Sequence, residues 1–102
     1  MVIYFKQVAG ATTAQSLTTA FGFSEPKHIT KAQFQYVSGG SDVVYGGGSN
    51  VTNVPANVGF FYSNGASMEI SNDGYGFIGT TDDIYIVCSA ATGTSFITIY
   101  AG

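Results

Sequence analysis

The chain has 102 residues, enough for one hydrophobic core and too few for two. Charged side chains make up 9% of it and the formal net charge is −3, whereas an ordinary soluble domain is about 25% charged. Lys6, Lys27 and Lys31 are its only fixed cations. They cannot form a phosphate track of about 6–10 cationic contacts or the cluster of about 4–8 Lys/Arg that docks on an anionic membrane, so nucleic acid and membrane are excluded as expected partners. The longest apolar run, Ile84 to Cys88, is strand-sized and far below the roughly 18 residues of a membrane-spanning helix.

Taken in chain order, the elements are mainly β. Aromatics, all Tyr or Phe, make up 15% of the chain and are spaced between Gly, Asn and Ser punctuation, the pattern of a sandwich or barrel. Val2 to Val8 predicts a first strand, ended by Ala9-Gly10. Thr12 to Phe21 is the one helical candidate. Thr12 or Thr13 can cap it, Ala14, Leu17 and Phe21 share a face, and Gly22 stands where a C′ glycine would. From His28 on, Ala32, Phe34 and Tyr36 alternate with Lys31, Gln33 and Gln35, so one face meets a core and the other meets water.

Ser38 to Ser41 then turns the chain into an Asp42–Tyr45 strand, which Gly46-Gly47-Gly48 stops. Ser49 to Val54 reads as a further strand closed by Pro55, which has no N–H for a ladder. Gly59 to Tyr62 leads to Asn64-Gly65, a pair that predicts a tight hairpin into Ser67–Ile70. Asn72-Asp73-Gly74 repeats the signal before a short Tyr75–Ile78 strand, and Gly79 to Asp82 is its exit. Asp83–Ser89 and Ser95–Tyr100 are the last two strands, the final one with apolar residues on both faces. The expected fold is all-β: about eight strands in a two-sheet, jelly-roll-like sandwich with at most one short helix near the N-terminus.

The catalytic inventory is thin, with one His, one Cys and six carboxylates. His28, at the entrance to a strand, fits a solvated imidazole better than a base or ligand. No spaced set of donors accompanies it for a metal. Cys88, in the most hydrophobic strand, reads as a buried thiol. Glu25, Asp42, Glu69, Asp73, Asp82 and Asp83 all fall in or beside turns, where Asp bonds to nearby backbone. Asn72-Asp73 and Asp82-Asp83 could offer oxygens to Ca²⁺ but lack the spacing of a calcium loop. Gly46-Gly47-Gly48 lacks the Lys-Ser/Thr of a phosphate loop. The expectation is therefore no enzyme and no cofactor or metal.

Asn50-Val51-Thr52 matches an N-glycosylation acceptor, which matters only in a secreted chain. Met1 to Lys6 has neither the basic nor the apolar region of a signal peptide. Paired aromatics carry more information. Consecutive rings on a strand point to opposite faces, so in Phe21 with Phe23, and in Phe60-Phe61-Tyr62, some rings either cover a satellite cluster or form a subunit contact. These five residues are the candidate partner interface.

Ser38-Gly39-Gly40-Ser41-Asp42-Val43-Val44-Tyr45-Gly46-Gly47-Gly48-Ser49-Asn50-Val51-Thr52, then Pro55 and Gly59, then Asp82-Asp83-Ile84-Tyr85-Ile86-Val87 and Gly93-Thr94 before a final strand, resembles the small tailed-bacteriophage virion proteins of the head decoration, or capsid cement, type. The resemblance covers residues 27–102. It implies a β-sandwich that clusters, often as homotrimers, on the surface of a capsid, with the major capsid protein as partner and no catalytic residues. It leaves residues 1–26 as a strand or arm with a possible short helix, packed with its own subunit or swapped to another. The expected protein is a structural part of a bacteriophage virion, made in the host cytoplasm. The alternative is a carbohydrate-binding or host-attachment sandwich of a fibre or spike, motivated by seven Tyr and many Asn, Asp and Ser.

Overall fold

Strands from the two ends of the chain pair with one another in nested order, as if one long hairpin had been rolled into two layers. The computed structural model describes residues 2–40, 42–52, 58–71 and 79–102. Its strands are β1 (Val2–Ala9), β2 (Gln15–Ser16), β3 (His28–Ser38), β4 (Val43–Gly47), β5 (Phe60–Ser63), β6 (Ser67–Ser71), β7 (Gly79–Thr80), β8 (Tyr85–Cys88) and β9 (Gly93–Ala101), with one helix, α1 (Leu17–Phe21). β1 pairs with β9, β2 with β8, β3 with β6 and β4 with β5, all antiparallel. One sheet is ordered β1-β9-β3-β6, the other β2-β8-β4-β5, and β7 adds a short pairing to β3. This is the jelly-roll arrangement of a β-sandwich.

The core lies between the sheets. β3 and β9 supply Ile29, Ala32, Phe34, Tyr36, Ile97 and Ile99 from one side, and Val44, Tyr62, Ile86 and Cys88 face them from the other. Simple alternation cannot bury both Ile29 and the even-numbered Ala32, Phe34 and Tyr36. A register shift between Ile29 and Lys31, where β3 meets β9, resolves this. The extra residue, Thr30, resets the alternation as a β-bulge does, and its hydroxyl donates to the Tyr100 carbonyl at 3.3 Å.

The N-terminal segment departs from the expected helix. Gln15–Ser16 pairs with β8, and the helix is only Leu17–Phe21. Its cap is Ser16, whose Oγ accepts from Thr19 N–H at 3.2 Å, in place of Thr12 or Thr13. Of the four threonines between residues 12 and 19, Thr12 and Thr13 favour extended backbone at the start, and the pairing with β8 takes it. Gly22 does end the helix, with φ of 74°. The Gly22 and Phe23 N–H groups donate to the Thr19 and Thr18 carbonyls, a Schellman closure.

Two turn assignments also change. Asn64-Gly65 does not close a hairpin, because β5 and β6 belong to different sheets. The turn, with Gly65 at φ 81°, carries the chain across the sandwich and docks on β3 through Gly65 N–H to the Tyr36 carbonyl at 2.8 Å. Gly46 and Gly47 do not stop β4 but lie within it. Residues 48–52 are not strand, and Gly79–Thr80, expected as an exit, pairs with His28–Ile29. The proposed ends at Val54-Pro55, the Asn72-Asp73-Gly74 turn and the Tyr75–Ile78 strand lie outside the described residues.

Candidate functional surface

Among the described residues no group of three His, Cys, Asp or Glu side chains stands close enough to hold a metal, and no buried side-chain polar atom lacks a hydrogen-bond partner. Several of the chemistry-bearing residues are used in the fold. Asp42 is the clearest case. Tyr36 Oη donates to its Oδ2, Ser38 Oγ donates to Oδ1 at 2.5 Å, and Gly40 N–H donates to Ser38 Oγ at 3.1 Å. These bonds tie the end of β3 to the start of β4 across the glycine turn. The hydroxyls of Ser38 and then Tyr36 hold the carboxyl at about 2, below its ordinary 3.8, against a smaller opposing effect of burial. Both oxygens already accept hydroxyl protons, which leaves the group poorly placed as a base.

The other candidates are similarly placed. Cys88 is buried, and burial pushes its thiol above the ordinary value, away from nucleophile chemistry. Asp83 Oδ2 accepts from Thr80 N–H at 2.8 Å and from its hydroxyl at 3.2 Å, a local turn clamp. Glu69 accepts from Gln33 Nε2 at 3.0 Å and pairs with Lys31 Nζ at 3.4 Å on the surface. Gln33, Lys31 and their hydrogen bonds hold it below its ordinary value. His28 and Glu25 are exposed, and Asp73 lies outside the described residues. Gly46 is buried under an aromatic ring, and Gly48 lies at a turn beside Asn50.

The five interface candidates do not form one patch. Phe21 stacks on Phe23 at 5.3 Å between centroids, Phe23 meets the Tyr4 edge at 4.9 Å, and Lys27 Nζ lies 5.6 Å from the Phe23 ring. This half-buried group closes the α1 end of the sandwich. Phe60 packs on Phe34 at 5.4 Å, and Tyr62, only 2% exposed, belongs to the core. Of the five, only Phe61 projects well into solvent, at 66% exposure, from the outer face of the second sheet opposite Tyr45.

The contiguous surface is elsewhere, on the outer face of the β1-β9-β3-β6 sheet. Register places Phe5 beside Thr98 and Gln33, and Gln7 beside Phe96 and Gln35. Phe5 is 74% exposed, and Ile3, Val37 and Phe96 are exposed on the same side. Open grooves run along this face on either side of Phe96. Its charges, Lys31 and Glu69, neutralise each other, and Lys31 Nζ also lies 5.1 Å from the Tyr100 ring. The face is therefore aromatic and amide-rich with little net charge. The signals for it are the Ile3/Phe5 alternation and the two-sided final strand, which become one surface only through the pairing of β1 with β9.

The fold and surface define a jelly-roll β-sandwich with a broad, nearly uncharged sheet face. No protein-family model matches the chain, and no curated protein matches it. Among solved structures it is similar to a chain of the disulfide-linked pili of Bacillus endospore appendages, at 16% identity over 98% of this chain and 85% of that one, with a TM-score of 0.46. It is also similar to the coat protein of Tobacco streak virus, at 15% identity over 99% and 87%, with a TM-score of 0.48.

Proposed function

We propose that this chain is a non-enzymatic virion structural protein that binds an assembled bacteriophage capsid and stabilises it. The observation that carries this reading is the outer face of the β1-β9-β3-β6 sheet, where Phe5, Phe96, Ile3 and Val37 are exposed among Gln and Thr side chains. Large exposed apolar area on a small domain marks an interaction surface. Uncharged amides and hydroxyls can pack there with little of the desolvation cost that charges carry. The bacteriophage assignment comes from the turn-and-strand resemblance of residues 27–102, and the low charge of the whole chain agrees with life in a lattice. Binding across capsomer boundaries would favour the closed shell over its parts by mass action, and clustered copies would gain avidity.

Of the seven tyrosines, those described all lie on strands: Tyr4, Tyr36, Tyr45, Tyr62, Tyr85 and Tyr100. Among the described residues the sugar-binding alternative therefore has no Tyr-bearing loop set to favour it. The test is co-sedimentation with purified shells of a candidate capsid. The expected result is saturable pelleting that Phe5→Lys with Phe96→Lys abolishes while circular dichroism stays unchanged. Failure to pellet at any concentration, or pelleting unchanged in that double variant, overturns the reading.

A further inference from the structure

We infer that β1 is a self-pairing edge, joining two copies of this chain into one continuous sheet about a two-fold axis centred on Phe5. Sheet edges are normally protected by brevity, bulges or charge. Among the described strands, the edge strands β2 and β5 are two and four residues long, and β6 is a five-residue strand carrying Glu69. β1 is different. Its eight residues pair with β9 without a register break, from Val2 opposite Ala101 to Ala9 opposite Thr94. Its far side makes no hydrogen bond among the described residues. It exposes Val2, Ile3 and Phe5 and carries one charge, Lys6.

A second copy is the occupant that fits this edge. An antiparallel pair about an axis normal to the sheet keeps both outer faces on one side, so odd residues must lie opposite odd ones. Centring on Lys6 would set two ammonium groups directly opposite, which is unfavourable. Centring on Tyr4 would align only residues 2–6. Centring on Phe5 aligns residues 2–8 and places Phe5 against Phe5 of the second copy. Ile3 then meets Gln7, and Lys6 lies across from the Tyr4 ring, a favourable cation and aromatic pair. The apolar stripe of the outer face becomes continuous across both copies. A ladder of this length falls at the small end of interface sizes, below about 1,200 Å² in total, so the pair is expected to depend on concentration. This two-fold contact is separate from the three-fold clustering implied by the resemblance, and it does not require capsid binding.

The test uses the full chain without shells. Directly opposite residues in an antiparallel pair have Cα atoms about 4.5–5.5 Å apart, within reach of a disulfide. Under mild oxidation Phe5→Cys is expected to give a cross-linked dimer at least tenfold faster than Lys6→Cys or Ile3→Cys, whose counterparts are not opposite one another. Buried Cys88 is not expected to compete. Sedimentation of the unmodified protein is expected to shift from monomer to dimer with concentration, and Ile3→Lys with Phe5→Lys to remain monomeric with an unchanged circular dichroism spectrum. A monomer at every concentration, a trimer without the Phe5→Cys cross-link, or equal cross-linking at all three positions overturns the inference. Dimerisation without shell binding would leave it standing and remove the capsid reading instead.

Discussion

Gly46 lies directly across the β4–β5 ladder from Phe60, and the Phe60 ring occupies the space that a Cβ on Gly46 would fill. The glycine therefore acts as a seat for the ring, which in turn packs on Phe34 and Tyr62. An aromatic side chain folded over a cross-strand glycine compensates for the missing side chain there.

Gly46→Ala is expected to destabilise the fold by about 1–3 kcal/mol, the usual range for overpacking. Phe60→Ala should also destabilise, by removing the ring. If the two share one contact, the double variant will lose less than the sum, by at least about 0.5 kcal/mol. Urea unfolding of the four proteins measures this. Simple additivity would show that the ring does not depend on the glycine.

The link between Asp42 and the β3 end predicts a dependence on acid. Its carboxyl sits at about 2 in the folded chain against an ordinary 3.8. A depressed carboxyl stabilises the fold above its unfolded value, and that contribution is lost as pH falls from about 4 towards 2. Asp42→Asn should flatten the stability curve in this window and lower stability at neutral pH. Glu69, also held low, leaves a residual slope. Urea midpoints from pH 2 to 6 provide the comparison, and equal slopes in both proteins would remove Asp42 as the cause.

How far the sequence revealed this protein differs between layers and links. The alternation of Ala32, Phe34 and Tyr36 identified the buried face of β3 because a regular strand has a period of two. It could not place Ile29, which needs the bulge at Thr30. Asn64-Gly65 correctly marked a turn, yet local residues cannot say whether the next strand pairs beside the last or crosses to the other sheet. Long-range pairing decides that, and it is also why Tyr62, one of the candidate contacts, lies in the core while Phe60 packs half-buried against it. Ile3, Phe5 and Phe96 belong to strands from opposite ends of the chain, so their shared surface was invisible to any local window.

Thr81 is fully buried and joins three segments. Its Oγ1 accepts from Lys27 N–H at 3.0 Å and shares a 2.6 Å bond with Thr18 Oγ1, while its carbonyl accepts from Thr18 N–H at 3.1 Å. Thr81→Val keeps the shape but strands a backbone donor and a hydroxyl, and an unsatisfied buried group costs about 1–3 kcal/mol. Thr81→Ser retains the hydroxyl and should cost less. Hydrogen exchange should locate the loss at Thr18 and Lys27. Uniform loss of protection across both sheets, with no local excess, would contradict this linkage.

Tyr62 predicts the opposite limb of the pH profile. Burial raises its hydroxyl well above the ordinary 10.0, against a smaller effect of the Ser95 hydroxyl 3.3 Å away. Burial and Asp42 likewise raise Tyr36. A raised tyrosine stabilises the fold fully below the unfolded value, and the contribution falls away as pH climbs from 10 towards the folded value. Each such group lowers stability by about 1.4 kcal/mol per pH unit in that range. Tyr62→Phe should therefore cost about 0.5–1.5 kcal/mol at pH 7 for the lost hydrogen bond, yet decline less steeply above pH 10, so the two stability curves converge. Spectrophotometric titration is expected to show a deficit of tyrosinate in the folded protein relative to the urea-unfolded chain, smaller in the variant. Parallel curves above pH 10 would mean that Tyr62 ionises in place, without opening the core between the sheets.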